Sequence, residues 1–151
     1  MLNYHGQVFP PRDVLIYADS IKLDNYKTAT IKKFQRRFPD LSGLRLMMDQ
    51  IALRLSFDDG AAFDPVFFSC GKGAEEHIDQ LDPEIYTDTT IVVPLVAPYG
   101  HMIFCTDGTR TVLQPNGIYS FVHEKPHSLE LDDTESGCTV LMLAIRKQNG
   151  G

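Results

Sequence analysis

Two kinds of hydrophobic spacing divide the chain. Over residues 28–38, Ile31, Phe34 and Phe38 recur at intervals of three and four, and Lys32, Lys33, Arg36 and Arg37 fall between them. That is the stripe of an amphipathic helix. The turn-forming stretch PDLSG ends it. Over 44–55, Leu44, Met47, Met48, Ile51 and Leu55 repeat the spacing and predict a second helix. After the turn DDG the period changes. FDPVFFSC, TTIVVPLV, HMIFC, TRTVLQ, IYSFVH, HSLELD and CTVLMLAI are short and rich in β-branched and aromatic residues. APYG, DGT, PNG, EKP and DDTESG lie between them. Short strands punctuated in this way predict an antiparallel sandwich or barrel. The first 26 residues have no decisive period, and DVLIYA within them is apolar enough for a strand. The expected fold is one α+β, mainly β domain over 1–151. Its helical part runs to about 57 and its β core over about 63–147.

Composition narrows the function classes. A chain of 151 residues buries a core without staples. Twenty acidic against fourteen basic side chains give a net charge of −6, so phosphate attraction does not favour nucleic acid as a partner. The N-terminal MLNYHGQVFPPRD lacks a basic flank followed by an apolar run, so no secretory leader is expected. No apolar run approaches the roughly 20 residues that cross a bilayer. Cys70, Cys105 and Cys138 are odd in number and set in apolar sequence, which suits buried thiols of a reducing compartment. A soluble cytoplasmic protein is the expectation.

The candidate chemistry sits in EEHIDQ. In extended chain, residues i and i+2 share a face, so His77 and Asp79 project together. A histidine and a carboxylate so placed can be two ligands of a divalent metal, with a third from a distant strand. His127 is the leading candidate: it follows the turn EKP and shares a face with Leu129 and Leu131. His123, four residues earlier, has the same parity and competes for the role. His101 in GHMIFC reads as a surface position at a strand start. Blander readings stand beside these, with His77–Asp79 as a loop pair among Glu75, Glu76 and Asp82, and His127 as a core histidine. The Lys32–Arg37 cluster reads as a solvated helix face.

The segments GKGAEEHIDQLDPEIYTDTTIVVPLV and VLQPNGIYSFVHEKPHSLELDDTESGCTVLMLAI resemble the His-x-Asp strand and the later strands of the 2-oxoglutarate- and Fe(II)-dependent oxygenases. The resemblance covers about 63–147. It implies a double-stranded β-helix, jelly-roll or cupin-like, with the two N-terminal helices packed outside. It implies His77, Asp79 and His127 as ligands of Fe(II), which Mn, Ni or Zn can replace, with 2-oxoglutarate as cosubstrate and a small molecule or protein as substrate. Residues 58–62, 81–88 and the turn at Tyr99 and Gly100 are the expected substrate contacts. One departure is plain. The family places a cation on the final strand for the cosubstrate's far carboxylate, and here that stretch reads SGCTV. Arg110 and Arg146 are then the candidates for that role, with Lys125 behind them. A cupin-like metal-binding or structural protein, or a cupin-type isomerase or dioxygenase that needs no 2-oxoglutarate, are the alternatives.

Overall fold

The computed structural model describes residues 1–96, 101–132 and 137–148, with backbone alone at 25–27 and 70. Ten strands and three helices are assigned within it. Helix α2 (Ile31–Arg37) and helix α3 (Ser42–Arg54) occupy the two stretches with helical spacing. Phe34 of α2 and Leu44, Met47, Met48 and Ile51 of α3 are buried. The first three residues of the 28–38 stretch are not helical. Strand β2 (Asn25–Thr30) takes its threonines and pairs with β3 (Phe63–Cys70), Thr28 opposite Phe68 and Thr30 opposite Val66. β-Branched residues at a sheet edge gain more from that pairing than from a helical turn.

DVLIYA is helical, not extended. It forms most of α1 (Arg12–Ile21), which follows Pro11 and buries Val14, Tyr17, Ala18 and Ile21. A strand would have buried Ile16 beside Val14 and Ala18. The spacing to Tyr17 and Ile21 selects the helix and leaves Ile16 exposed.

The remaining strands are β1 (Asn3–Gln7), β4 (Ala74–His77), β5 (Tyr86–Val96), β6 (Met102–Thr106), β7 (Thr109–Leu113), β8 (Gly117–Val122), β9 (His127–Leu131) and β10 (Thr139–Arg146). They form a six-stranded sheet, β1-β8-β5-β10-β3-β2, and a four-stranded sheet, β4-β9-β6-β7. Every strand pair is antiparallel. From β3 to β10 the chain alternates between the sheets, apart from the β6–β7 hairpin. That order is a jelly roll, a double-stranded β-helix.

Alternation along the large sheet makes two cores. Leu141, Leu143 and Ile145 of β10 pack toward the helices together with Phe67 of β3. Val140 and Met142 point the other way, with Phe68, into the space between the sheets. There they meet Phe104 and Leu129 of the small sheet. The large sheet is therefore apolar on both faces, which explains the unbroken run IVVPLV in β5.

Candidate metal centre

β4 is a short edge strand that lies against β9, and His77 and His127 are opposite one another in that pairing. Their rings are 4.4 Å apart between centroids. Asp79 lies just beyond the end of β4, held by its backbone N–H donating to the His123 carbonyl at 2.9 Å. The three side chains thus meet where the small sheet ends. One ligand atom from each lies within 4.8 Å of the other two. The His127 side chain is 4% exposed, whereas His77 and Asp79 are 43% and 38% exposed. The cluster therefore has a wall inside the barrel and a mouth toward solvent.

The hydrogen bonds determine which ring nitrogens are free. His77 Nδ1 lies 2.6 Å from the Glu75 carbonyl and His127 Nδ1 lies 2.8 Å from the Lys125 carbonyl. A carbonyl only accepts, so both Nδ1 atoms carry the proton and both Nε2 atoms face the site. Anchoring Nδ1–H on a carbonyl is how metal-binding histidines are oriented. His127 Nε2 is 3.0 Å from Asp79 Oδ2 and His77 Nε2 is 3.5 Å from Asp79 Oδ1. Two ligand atoms each ~2.1 Å from one ion and at right angles to each other sit ~3 Å apart. The donor set and its spacing fit a divalent transition metal.

Electrostatics agree. The hydrogen bond from His127 holds the Asp79 carboxyl below its usual value of 3.8, helped by the nearby His127, His77 and His123 and opposed by burial. Burial works to lower the His127 pKa. The hydrogen bond to Asp79, the Lys125 carbonyl and the Asp79 charge together outweigh it, so the imidazole titrates above its usual 6.5. Below that raised pKa the metal-free His127 is an imidazolium donating Nε2–H to Asp79, and an arriving ion must displace that proton. Affinity for Mn(II) is therefore expected to rise about tenfold per pH unit below the raised His127 pKa, and to level off above it. Calorimetric titrations in two buffers of different ionisation enthalpy check this, and pH-independent binding without proton release would contradict it.

Gly73 controls how β4 meets β9. Its φ is +81°, and a Cβ there would stand 2.5 Å from the Leu129 carbonyl oxygen. Gly73→Ala is expected to push β4 away from β9, costing about 1–3 kcal/mol in strain and at least about tenfold in Mn(II) affinity, as disturbed ligand positioning does. Metal titration of the folded variant measures the second effect, and unchanged affinity would show that this strand junction does not position the site.

The other candidates lie elsewhere. His123 is fully buried and its Nδ1 is 2.8 Å from Thr90 Oγ1. It serves the site through its backbone carbonyl. His101 is exposed and pairs with Asp132 at 2.9 Å. Arg110 lies opposite Cys105 in the β6–β7 ladder, on the outer face, because Leu113 at the opposite parity points inward. It pairs with Glu130 at 2.7 Å, so it does not face the triad. Arg146 Nε is 3.6 Å from Asp64, which also accepts from the Tyr86 hydroxyl, and its guanidinium donates to the Ala61 carbonyl. It lines an open groove of about 510 Å³ together with parts of 58–62 and 81–88, the two segments expected to contact substrate. Lys125 is paired with Asp107 at 3.6 Å. The turn at Tyr99 and Gly100 lies outside the described residues. Cys138 is buried and Cys105 half-buried, while the Cys70 side chain is also outside the description.

No protein-family model and no curated protein sequence matches the chain. Among solved structures, the cupin_2 domain of an XRE-family transcriptional regulator from Enterobacter cloacae is 18% identical, with 58% of this chain covering 84% of that one at a TM-score of 0.45. The ribosomal oxygenase YcfD from Escherichia coli, in complex with cobalt and succinic acid, is 13% identical at a TM-score of 0.46. There 70% of this chain covers 29% of the enzyme, so the chain spans less than a third of its length. A salicylate 1,2-dioxygenase from Pseudoaminobacter salicylatoxidans is 13% identical, with 62% of this chain covering 23% of that one at a TM-score of 0.40. By its own strand order, independently of these likenesses, the chain is a cupin-like double-stranded β-helix with two histidines and an aspartate gathered at the barrel mouth.

Proposed function

We propose that the protein is a mononuclear metalloenzyme of cupin-like fold that holds one divalent ion, Fe(II) by donor preference, on His77, Asp79 and His127. The observation that carries this reading is the orientation of the imidazoles. Both Nδ1 atoms are committed to backbone carbonyls, and both Nε2 atoms converge on one carboxylate. A salt bridge alone needs only one histidine. Two histidines and one carboxylate on one side of an ion are the ligand set of non-haem iron oxygenases, and such an ion supplies open coordination positions and redox chemistry. The chain's own residues do the rest. Asp79 supplies the single negative charge. Phe104 and Phe121, with ring centroids 5.9 and 4.8 Å from that of His127, keep water from its inner side.

The finer reading implied by the sequence resemblance, a 2-oxoglutarate/Fe(II) hydroxylase, needs a cation for the cosubstrate's far carboxylate. Arg110 and Arg146 are each engaged by an acid, and among the described residues no lysine or arginine lines the cavity beside the histidines. The donor set supports metal chemistry, and the lining does not fit 2-oxoglutarate. A second reading, a cupin-like metal-binding protein without turnover, draws support from the small size of that cavity. Mn(II) titration followed by paramagnetic resonance is expected to give one ion per chain, lost in His77→Ala and His127→Ala. Oxygen uptake by the Fe(II)-loaded protein above that of His127→Ala supports the enzyme. Stoichiometric metal without uptake supports the second reading, and no metal binding sinks both.

A further inference from the structure

Behind the triad, between the two sheets, is a cavity of about 50 Å³ lined by the His77 and His127 rings. Val92 and Val140 close it from the large sheet, and Phe104 and Leu129 from the small one. Among the described residues, nothing lining it is acidic or basic except the two histidines, and Ser128 brings the single hydroxyl. Polar side chains elsewhere between the sheets are committed: Thr90 to His123, and Thr106 to the Pro126 carbonyl. An apolar cavity of ~150 Å³ stays dry and takes up benzene or xenon. A mainly apolar space a third of that size admits a ligand of very few heavy atoms. The far carboxylate of a dicarboxylate, out of reach of the metal centre, would leave its hydration shell and find no counter-charge among Val92, Phe104, Leu129, Val140 and Met142, which is prohibitive in such surroundings.

We propose that the barrel interior of this protein receives a small uncharged apolar ligand, or the alkyl end of a larger substrate, against the imidazole edge of the metal centre, and excludes 2-oxoglutarate. The proposal rests on the metal reading for its chemical role and on the cavity for its selectivity. It also accounts for the missing final-strand cation: Val140 and Met142 line the cavity from β10, where a charged side chain would have no partner.

The test uses the full chain, methyl-labelled at valine and leucine, with and without Mn(II). Xenon is the apolar probe and 2-oxoglutarate the competing one. Dissolved xenon is expected to shift the methyl signals of Val92, Val140 and Leu129. Val140→Phe, which fills the cavity, is expected to remove those shifts while changing Mn(II) affinity by less than about threefold, because Val140 stands on the large sheet and the two histidines on the small one. If Val140→Phe does not fold, Val140→Leu must weaken the shifts, and unchanged shifts overturn the proposal. Millimolar 2-oxoglutarate is expected to leave water-proton relaxation by the Mn(II)-loaded protein unaltered. Saturable binding of 2-oxoglutarate that moves the same methyl signals overturns the proposal, as does an absence of xenon shifts in the parent protein. Xenon binding without Mn(II) binding supports the cavity and overturns the metal centre, so the two readings fail separately.

Discussion

Asp79→Ala is expected to abolish the rise in melting temperature that Mn(II) produces in the parent protein. An ion that binds only the folded chain stabilises it by about 2.7 kcal/mol at about 100 times its Kd. For a domain of this size each kcal/mol moves the melting temperature by about 2–4 °C, so the parent rise is about 5–10 °C. Asp79 provides the one anionic ligand and faces both Nε2 atoms. Without it two neutral imidazoles remain, and the shift should fall to within about 1 °C of zero as the affinity collapses. Equal shifts in parent and variant would dismiss the site.

The metal-free protein adds a signed control. A raised His127 pKa contributes stability below the ordinary value of 6.5, and this is lost as pH climbs through the raised value. A lowered Asp79 pKa contributes stability above 3.8, and this is lost as pH falls through the lowered value. The pair therefore favours the metal-free fold most between those two ordinary values. In chelator, Asp79→Ala should lose stability in that window and less of it in mildly alkaline buffer. A backbone role for Asp79 is spared by the substitution, since its N–H, not its side chain, bonds to His123.

Phe67→Ala is expected to cost about 3–5 kcal/mol, the usual loss for truncating a fully buried aromatic. Phe67 lies between helices and barrel. Its ring stacks on Phe34 of α2 at 5.4 Å and meets Tyr17 of α1 edge-on at 5.1 Å, while Tyr17 and Phe34 are themselves 5.3 Å apart. Removing the ring opens a cavity at the point where two helices and the large sheet share contacts, and such a junction cannot collapse without moving a helix. A domain's whole stability is about 5–15 kcal/mol, so the variant should melt about 6–20 °C lower. Leu53→Ala, on the exposed face of α3, should stay within about 0.5 kcal/mol of the parent. Comparable losses from the two substitutions would mean that the helices are not docked through this aromatic cluster.

The metal site remains on the far side of the large sheet from that cluster, which makes the two predictions independent. Distant sites with no shared partner add. A double variant, Phe67→Ala with Asp79→Ala, should therefore lose the metal shift and the core stability separately.

Periodicity was enough for much of this molecule. The stripe from Leu44 to Ile51 is a helix because a helical turn returns every third or fourth side chain to one face. The alternation in HMIFC and HSLEL, bounded by turns, is strand, because a pleat sends neighbours to opposite faces. Spacing of two placed His77 beside Asp79 for the same local reason, although the strand itself ends at His77. Local pattern failed where a partner decides. DVLIYA is a helix because Tyr17 and Ile21 have Phe34 and the large sheet to pack against, and Thr28–Thr30 is extended because β3 has a free edge there. His123 and His127 have equal parity and both lie in the barrel wall, so no periodic argument separates them. The pairing of β4 with β9 does, by setting His127 opposite His77, while His123 at the end of β8 faces Thr90 of β5. Arg110 has the right charge on the wrong face of β7, and the cavity's size is a sum over side chains from both sheets. Local sequence carries periods of two and of three to four. Which strands become neighbours, and how much space is left between them, depends on contacts between residues distant in the chain.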